Sequence, residues 1–202
     1  MLTNLLKKQL GRSPIIFSVK DEKALRKALA SNYKILFFLY GDIVNIEAQV
    51  ALAKEYDKFV FVHLDLINGI SAHEAAVEFI SKYTEADGVI STKPRLLRYA
   101  KEFNLATILR IFMLDSMAFE NGIYNIQHCK PDSIEILPGI ATKSFPLVRE
   151  KSDLPLIAGG FIRTKEDVLA AIKAGASAVS TTCFELGELN KTFSSIYREK
   201  EK

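Results

Sequence analysis

Eight short apolar runs, separated by helix-length amphipathic stretches, constrain the fold of this chain more than any other feature. Most runs are rich in Val, Ile and Phe and are apolar on both faces, which is typical of parallel strands covered on both sides. The predicted strands cover residues 15–19, 35–40, 59–65, 88–91, 107–112, 133–137, 156–158 and 177–181. Because short loops join the β-α units, the pattern predicts one (β/α)8 TIM barrel, with a doubly wound open sheet as the alternative.

Local signals place the starts of several helices between these strands. Asp21 and Thr164 stand where an N-cap side chain would accept a backbone N–H. Ser71 and Glu74 have the spacing of a capping box, and Pro94 suits the first turn of a helix. These signals support alternation of strands and helices throughout the chain.

Length and composition agree with one compact barrel. The chain has 202 residues, at the short end of a fold whose size is typically about 250 residues and starts near 200. Hydrophobic residues make up 49% and charged residues 25%, as in ordinary globular proteins. We predict a single domain over residues 1–202, with a short N-terminal extension over about 1–13 and a helical C-terminal tail over about 184–202.

Several classes of protein are disfavoured. Cys129 and Cys183 form no CxxC and have no metal-type His spacing, so we expect no metal site and no cofactor. No apolar run approaches the ~18 residues of a membrane helix, and residues 1–11 lack the apolar core of a secretory signal. We therefore expect a cytoplasmic protein without a membrane partner. The net charge of +3 neither demands nor excludes a nucleic acid.

Two late turns have the residue types of a phosphate site. Gly159 and Gly160 follow a buried strand and precede a capped helix, so an anion can approach their N–H groups closely. One unit later, Ser180 and Thr181 end a strand before a helix-like segment. Together they predict a monophosphate cup, with Gly139 nearby; the alternative is a tight turn and an N-cap cluster.

Charged residues near other strand ends form a second candidate group. Asp65, Lys93, Arg110 and Glu135 would all face the upper lumen of a barrel, where an unpaired charge is costly. They predict a polar socket for a small hydroxylated ligand, although Arg110 and Glu135 would equally form a structural ion pair. We expect His63 to be a hydrogen-bonded core residue. The residues show no nucleophilic triad and no metal motif, so no catalytic residue is assigned.

A basic stripe is the candidate surface for a macromolecule. Arg95, Arg98 and Lys101 recur at three-residue spacing along the helix after Lys93. Such a stripe would contact RNA phosphates, and the alternative is an ordinary solvated helix face.

Several segments taken together resemble the glycerol uptake operon antiterminator regulatory family, over about residues 14–189. The matching segments are FFLYGDI (37–43), VFVHLDLI (60–67), DGVISTK (87–93), PDSIEILPG (131–139), AGG (158–160), IRTK (162–165) and AVST (178–181). The resemblance implies a TIM-barrel regulator that senses glycerol 3-phosphate and then stabilises a leader mRNA, preventing transcription termination ahead of glycerol-metabolism genes.

Two further functions stay open at this stage. A TIM-barrel enzyme, an isomerase or a lyase acting on a small phosphorylated metabolite, is the alternative, because barrel rims support many chemistries. A phosphate-ligand sensor with a protein partner is a third possibility. A homo-oligomer is compatible with a regulator that holds an RNA stem-loop.

Overall fold

The computed structural model describes residues 2–70 and 73–200, and the side chains of residues 6–70 and 73–195. Eight parallel strands close into a barrel in the order β1 to β8, which confirms the TIM-barrel prediction. The strands are β1 Ile15–Val19, β2 Ile35–Phe38, β3 Phe59–His63, β4 Gly88–Ser91, β5 Ala106–Phe112, β6 Ser133–Leu137, β7 Leu156–Gly159 and β8 Ala178–Thr181.

Helices lie between successive strands and at both ends of the chain. They are α1 Leu2–Arg12, α2 Glu22–Leu29, α3 Ile46–Glu55, α4 Glu74–Tyr83, α5 Pro94–Glu102, α6 Ser116–Cys129, α7 Ser144–Arg149, α8 Lys165–Lys173 and α9 Leu189–Lys200. Short 3-10 turns cover Leu64–Leu66 and Phe184–Glu188. Within the described ranges, no helix is long and apolar enough to cross a membrane.

Two strands end earlier than the sequence pattern predicts. β2 ends at Phe38 because the chain turns at Gly41, whose φ of +117° is easily adopted only by glycine. β3 ends at His63, and Asp65 lies in the following 3-10 turn, where its carboxylate accepts the Thr92 N–H at 2.8 Å. The predicted extension of β3 through Asp65 is therefore wrong.

The predicted caps are present where the structure describes them. Asp21 accepts the Ala24 N–H at 2.7 Å, and Thr164 forms a reciprocal capping box with Asp167. Pro94 occupies the first turn of α5. α4 begins at Glu74, whereas Ser71, the predicted partner of Glu74, lies outside the described residues.

The barrel lumen is filled by apolar side chains in its lower and middle part. Phe37, Phe61 and Ile108 belong to this cluster, and Leu6 and Leu10 of α1 join it. α1 therefore covers the amino-terminal end of the barrel. A second and larger core fills the space between the strands and the outer helices. The polar residues at the upper end of the barrel lie directly above this apolar cluster.

The Phe61 ring packs directly against Gly88, in space that a side chain at position 88 would occupy. A Cβ at Gly88 would lie 2.5 Å from Phe61 Cε1 and would also collide with the Ala106 carbonyl oxygen. We expect Gly88→Ala to lower the free energy of unfolding by about 1–3 kcal/mol, measured by urea denaturation. Phe61→Leu should cost less stability in the Gly88→Ala background than alone, because the smaller side chain relieves part of the overlap. Equal costs in both backgrounds would show that the two positions do not compete for space.

Candidate functional site

Three polar side chains form a connected layer above the apolar lumen. Arg110 on β5 donates from Nε to Glu135 Oε2 on β6 at 2.7 Å, and Ser180 on β8 donates to Glu135 Oε1 at 2.6 Å. Glu135 is 1% exposed and Arg110 is 8% exposed. A buried carboxylate needs a cation and hydrogen-bond donors, and this one has both. Arg110 and Glu135 thus form the ion pair that was one of the two interpretations of these residues.

Gly159 makes this network sterically possible. It lies on β7, between the strands that carry Glu135 and Ser180. A Cβ at Gly159 would lie 2.5 Å from Glu135 Oε1 and 2.8 Å from Ser180 Oγ. Glu135 therefore reaches Ser180 across β7 only because position 159 has no side chain.

A cavity of about 310 Å³ opens directly above this layer, at the carboxyl ends of the strands. Gly159 pairs with Ser180 in adjacent strands, so the two predicted phosphate turns are neighbours. The residues that line the cavity are Ser18, Leu39, Arg110, Glu135, Leu137, Gly160, Phe161, Ile162, Arg163, Ser180, Thr181 and Thr182. The two late turns thus contribute to one cavity, which we call the mouth cavity.

The five predicted phosphate residues have different positions around the mouth cavity. Gly160, Ser180 and Thr181 line it, whereas Gly139 and Gly159 are not among its lining residues. The Gly139 N–H donates to Gly159 O at 2.5 Å and to Gly160 O at 3.1 Å, so it holds the β7 turn in place.

The two hydroxyls predicted to bind phosphate, those of Ser180 and Thr181, have partners within the chain. The Thr181 hydroxyl donates to Ile162 O at 2.6 Å and accepts the Cys183 N–H at 3.0 Å. The Ser180 hydroxyl gives its one proton to Glu135. In this arrangement neither of these two hydroxyls has a proton to donate to an anion. The donors that remain around the mouth cavity are backbone N–H groups, the two arginines and the hydroxyls of Ser18 and Thr182.

Asp65 and Lys93 do not line the mouth cavity. Asp65 accepts hydrogen bonds from Ser91 and Thr92, which ties the turn after β3 to the start of α5. Lys93 is exposed and occupies the N-cap position of α5. Of the four predicted socket residues, the structure brings only Arg110 and Glu135 to the cavity.

Arg163 and Phe161 line the mouth cavity and were not singled out as site residues from the sequence. Arg163 adds a second cation beside Arg110. Phe161 is 64% exposed and has a φ of +61°, which is strained for a residue with a Cβ. The only sequence signal for both was their place directly after the Gly159–Gly160 turn.

His63 is buried beside the polar layer without hydrogen bonds. It is 2% exposed, and within the described part of the chain neither ring nitrogen has a hydrogen-bond partner. Asp65 Oδ2 lies 3.7 Å from Nδ1. The expectation of a core histidine is confirmed, but the expected hydrogen bonding is wrong. Burial lowers the pKa of His63 to about 3, and the Arg110 charge contributes to the decrease while Asp65 opposes it.

The basic stripe on α5 is partly engaged by neighbouring elements. Arg95 forms an ion pair with Glu74 at 2.9 Å, and Lys101 donates to the Lys130 carbonyl oxygen. Arg98 is exposed. For metals, no group of three or more His, Cys, Asp or Glu residues in the searched 2–70 and 73–200 ranges has the geometry of a binding site.

The family model of the glycerol-3-phosphate responsive antiterminator matches residues 15–186. The chain belongs to this family. The match runs from the first residue of β1 to the 3-10 turn after β8, so it includes every strand and every residue that lines the mouth cavity.

Relatives agree with the family assignment. The uncharacterized protein YgcP of Escherichia coli (strain K12) is 41% identical over 86% of this chain and 91% of its own length. The crystal structure of a glycerol uptake operon antiterminator regulatory protein from Listeria monocytogenes is 35% identical, with a TM-score of 0.83 over 86% of this chain and 94% of that one. A glycerol uptake operon antiterminator-related protein from Thermotoga maritima is 32% identical, with a TM-score of 0.78 over 87% and 98%. More distant barrels named as aldolases and decarboxylases, at 10–15% identity, show the fold alone.

His63 makes the stability of this protein depend on pH. Its pKa is lower in the folded chain, about 3, than the ordinary value of 6.5, so the unfolded state binds the proton first as pH falls. Between pH 7.5 and 5.0 we expect the wild type to lose about 2 kcal/mol more stability than His63→Gln. Urea unfolding of both proteins at the two pH values measures this difference. Identical pH dependence would mean that His63 does not titrate differently in the two states.

The Arg110–Glu135 pair provides a separate stability test. Arg110→Met leaves the Glu135 carboxylate buried without a cation and should cost about 3–5 kcal/mol of unfolding free energy. Arg110→Met combined with Glu135→Gln should recover a large part of that loss, because no buried charge remains. Additive losses in the double variant would contradict mutual charge compensation; thermal and urea unfolding distinguish the two results.

Proposed function

We propose that this protein is a glycerol-3-phosphate-responsive transcription antiterminator. It binds glycerol 3-phosphate in the mouth cavity and then binds a leader mRNA ahead of glycerol-metabolism genes, which places it in the cytoplasm. The observation that carries the proposal is the convergence of the β7 and β8 turns and two arginines on one cavity, in a chain of this family.

The phosphate group fits the outer part of the mouth cavity. Gly160, Thr181 and Arg163 line it there, and a phosphate dianion is favoured by backbone N–H groups and by a guanidinium fork. We assign Gly139 and Gly159 to the support of this turn rather than to direct contact, since Gly139 bonds the carbonyl oxygens of Gly159 and Gly160.

The glycerol hydroxyls fit the inner part of the mouth cavity. Glu135 accepts hydrogen bonds and Arg110 donates them, so the two hydroxyls of a vicinal diol would have an acceptor and a donor in this part of the cavity. Ser180 lies between the two parts, and its bond to Glu135 holds the carboxylate in place. Asp65 and Lys93, which bond or flank the start of α5, contribute to the rim and not to the first contacts.

We infer that the ligand is sensed and not converted. The Glu135 carboxylate, the one acid that lines the mouth cavity in the described residues, already holds Arg110 and Ser180 on its two oxygens. Protonation of Glu135 would remove the negative charge that Arg110 neutralises, so this carboxylate is better suited to accept a hydrogen bond from a hydroxyl than to take its proton. Incubation with glycerol 3-phosphate, followed by product analysis, should show no turnover; steady conversion would favour the isomerase or lyase alternative.

Ligand binding is testable by thermodynamic linkage. Glycerol 3-phosphate at about 100 times its dissociation constant should raise the free energy of unfolding by about 2.7 kcal/mol. Arg163→Ala should weaken binding by about 10- to 100-fold, the loss of one charge-assisted contact. Lys165→Ala is the matched control, because this nearby cation does not line the mouth cavity. No stabilisation at millimolar ligand, or equal losses in both variants, would contradict the assignment.

The regulatory step requires a second measurement. Fluorescence anisotropy with the leader RNA, with and without saturating glycerol 3-phosphate, should show tighter binding in the presence of the ligand. A ligand shifts an equilibrium only by its difference in affinity for the two states, so RNA must raise the affinity for glycerol 3-phosphate by the same factor. RNA affinity that is independent of the ligand would contradict a switch.

A further inference from the structure

A second cavity lies at the opposite end of the barrel from the mouth. It has a volume of about 980 Å³ and is bounded by residues of α1, α9 and the loops that precede β1, β2 and β3. Parallel strands begin at the same edge of a barrel, so this groove opens at the amino-terminal end. We call it the basal groove and define it by Arg12, Ser13, Lys34, Asp57, Asn190 and Lys191.

The chemistry of the basal groove is polar and basic. Arg12, Lys34 and Lys191 supply three cations against the single carboxylate of Asp57, and the other lining residues are Ser, Asn and Gln. Pockets for small molecules are lined mostly by apolar side chains, and the centres of protein interfaces are apolar or aromatic. Amides, hydroxyls and cations are the groups that bind phosphate and sugar oxygens of nucleic acids.

The walls of the basal groove are fixed before anything binds. Asn190 exchanges two hydrogen bonds with the backbone of Ile15, which clamps α9 to β1. Ser194 donates to Arg12 O at 2.6 Å and ties α9 to α1. Lys58, 2% exposed, donates to the carbonyl oxygens of Ser31 and Tyr33 and fixes the loop before β2. A preformed groove loses less conformational entropy on binding.

Ser13 supplies an independent sign of a ligand. It lines the basal groove and is 2% exposed, yet its hydroxyl has no hydrogen-bond partner in the described part of the chain. A buried hydroxyl without a partner is costly and rare in native proteins. A bound phosphate or ribose oxygen would satisfy it.

The whole amino-terminal end of the barrel has a basic bias. The connecting helices end there, and their last turns carry bases such as Lys27 of α2 and Lys173 of α8. The first turns, at the mouth, carry acids such as Glu47 and Glu166. Helix dipoles favour this distribution, and a polyanion meets the positive side chains of this end and the negative side chains of the other.

We propose that the basal groove binds the phosphate backbone of the leader RNA, a proposal that rests on the function given above. The basal groove is a stronger candidate than the α5 stripe, because it combines its cations with fixed polar walls and with the unpartnered Ser13 hydroxyl. Lys34 is exposed at the groove, and the Lys191 ammonium group pairs with the exposed Glu188, a surface pair that a phosphate can replace. The ligand and the RNA then occupy opposite ends of the barrel without steric competition.

The main test removes two groove cations. Lys34→Ala combined with Lys191→Ala should weaken leader-RNA binding at least ~10-fold and reduce the slope of log affinity against log salt by about 1.4, two single-strand phosphate contacts. Lys20→Ala with Lys165→Ala, two exposed lysines at the mouth, removes the same charge and should leave both quantities unchanged. Stabilisation by glycerol 3-phosphate should be unaltered in both double variants.

Ser13→Ala gives a second readout that a structural role would not produce. It should leave thermal stability equal or higher, because an unsatisfied hydroxyl is removed, and should weaken RNA binding. The proposal would be overturned if Lys34→Ala with Lys191→Ala and Ser13→Ala kept the wild-type RNA affinity and salt slope while Lys20→Ala with Lys165→Ala lost RNA affinity. That result would leave the antiterminator function standing. Absence of RNA binding by the wild type with glycerol 3-phosphate present would overturn both.

Discussion

The bond that Glu135 makes to Ser180 across β7 organises the upper end of the barrel. It needs a glycine at position 159, a carboxylate long enough to cross one strand and a cation, Arg110, to offset its burial. With this network in place, the apolar lumen ends in a polar surface of fixed geometry. The turns after β7 and β8 lie directly above this surface. The Glu135 carboxylate, which holds Arg110 and Ser180, therefore fixes the base of the mouth cavity.

The two ends of the barrel have different chemistry for a simple reason. All strands run in one direction, so the helices that connect them, α2 to α8, start at the mouth and end at the base. This difference underlies our proposals that the mouth cavity binds a small phosphorylated polyol and that the basal groove binds an extended polyanion. β1 extends from one end to the other: Asn190 bonds to Ile15 at its start, and Ser18 lines the mouth cavity near its end.

Sequence pattern predicts the fold well because strand burial and helix periodicity are local. β1, β4 and β6 have the bounds that their apolar runs predict, and the Asp21 and Thr164 caps form as expected. The error at Asp65 arises from a tertiary contact: the Thr92 N–H, from another unit, draws the carboxylate into a turn. Alternation within one run contains no information about that partner.

The sequence by itself determined eight alternating strand–helix units and the nearness of the Gly159 and Ser180 turns, because adjacent parallel strands end at the same edge. The structure decided between a closed barrel and the alternative open sheet. Only the tertiary structure decided which side chains meet: that Lys93 lies outside the mouth cavity, that Arg163 lines it, and that His63 is buried without a hydrogen bond. Side chains far apart in the chain are brought together by strand tilt and loop packing. Those depend on the closed barrel as a whole and leave no local pattern to recognise.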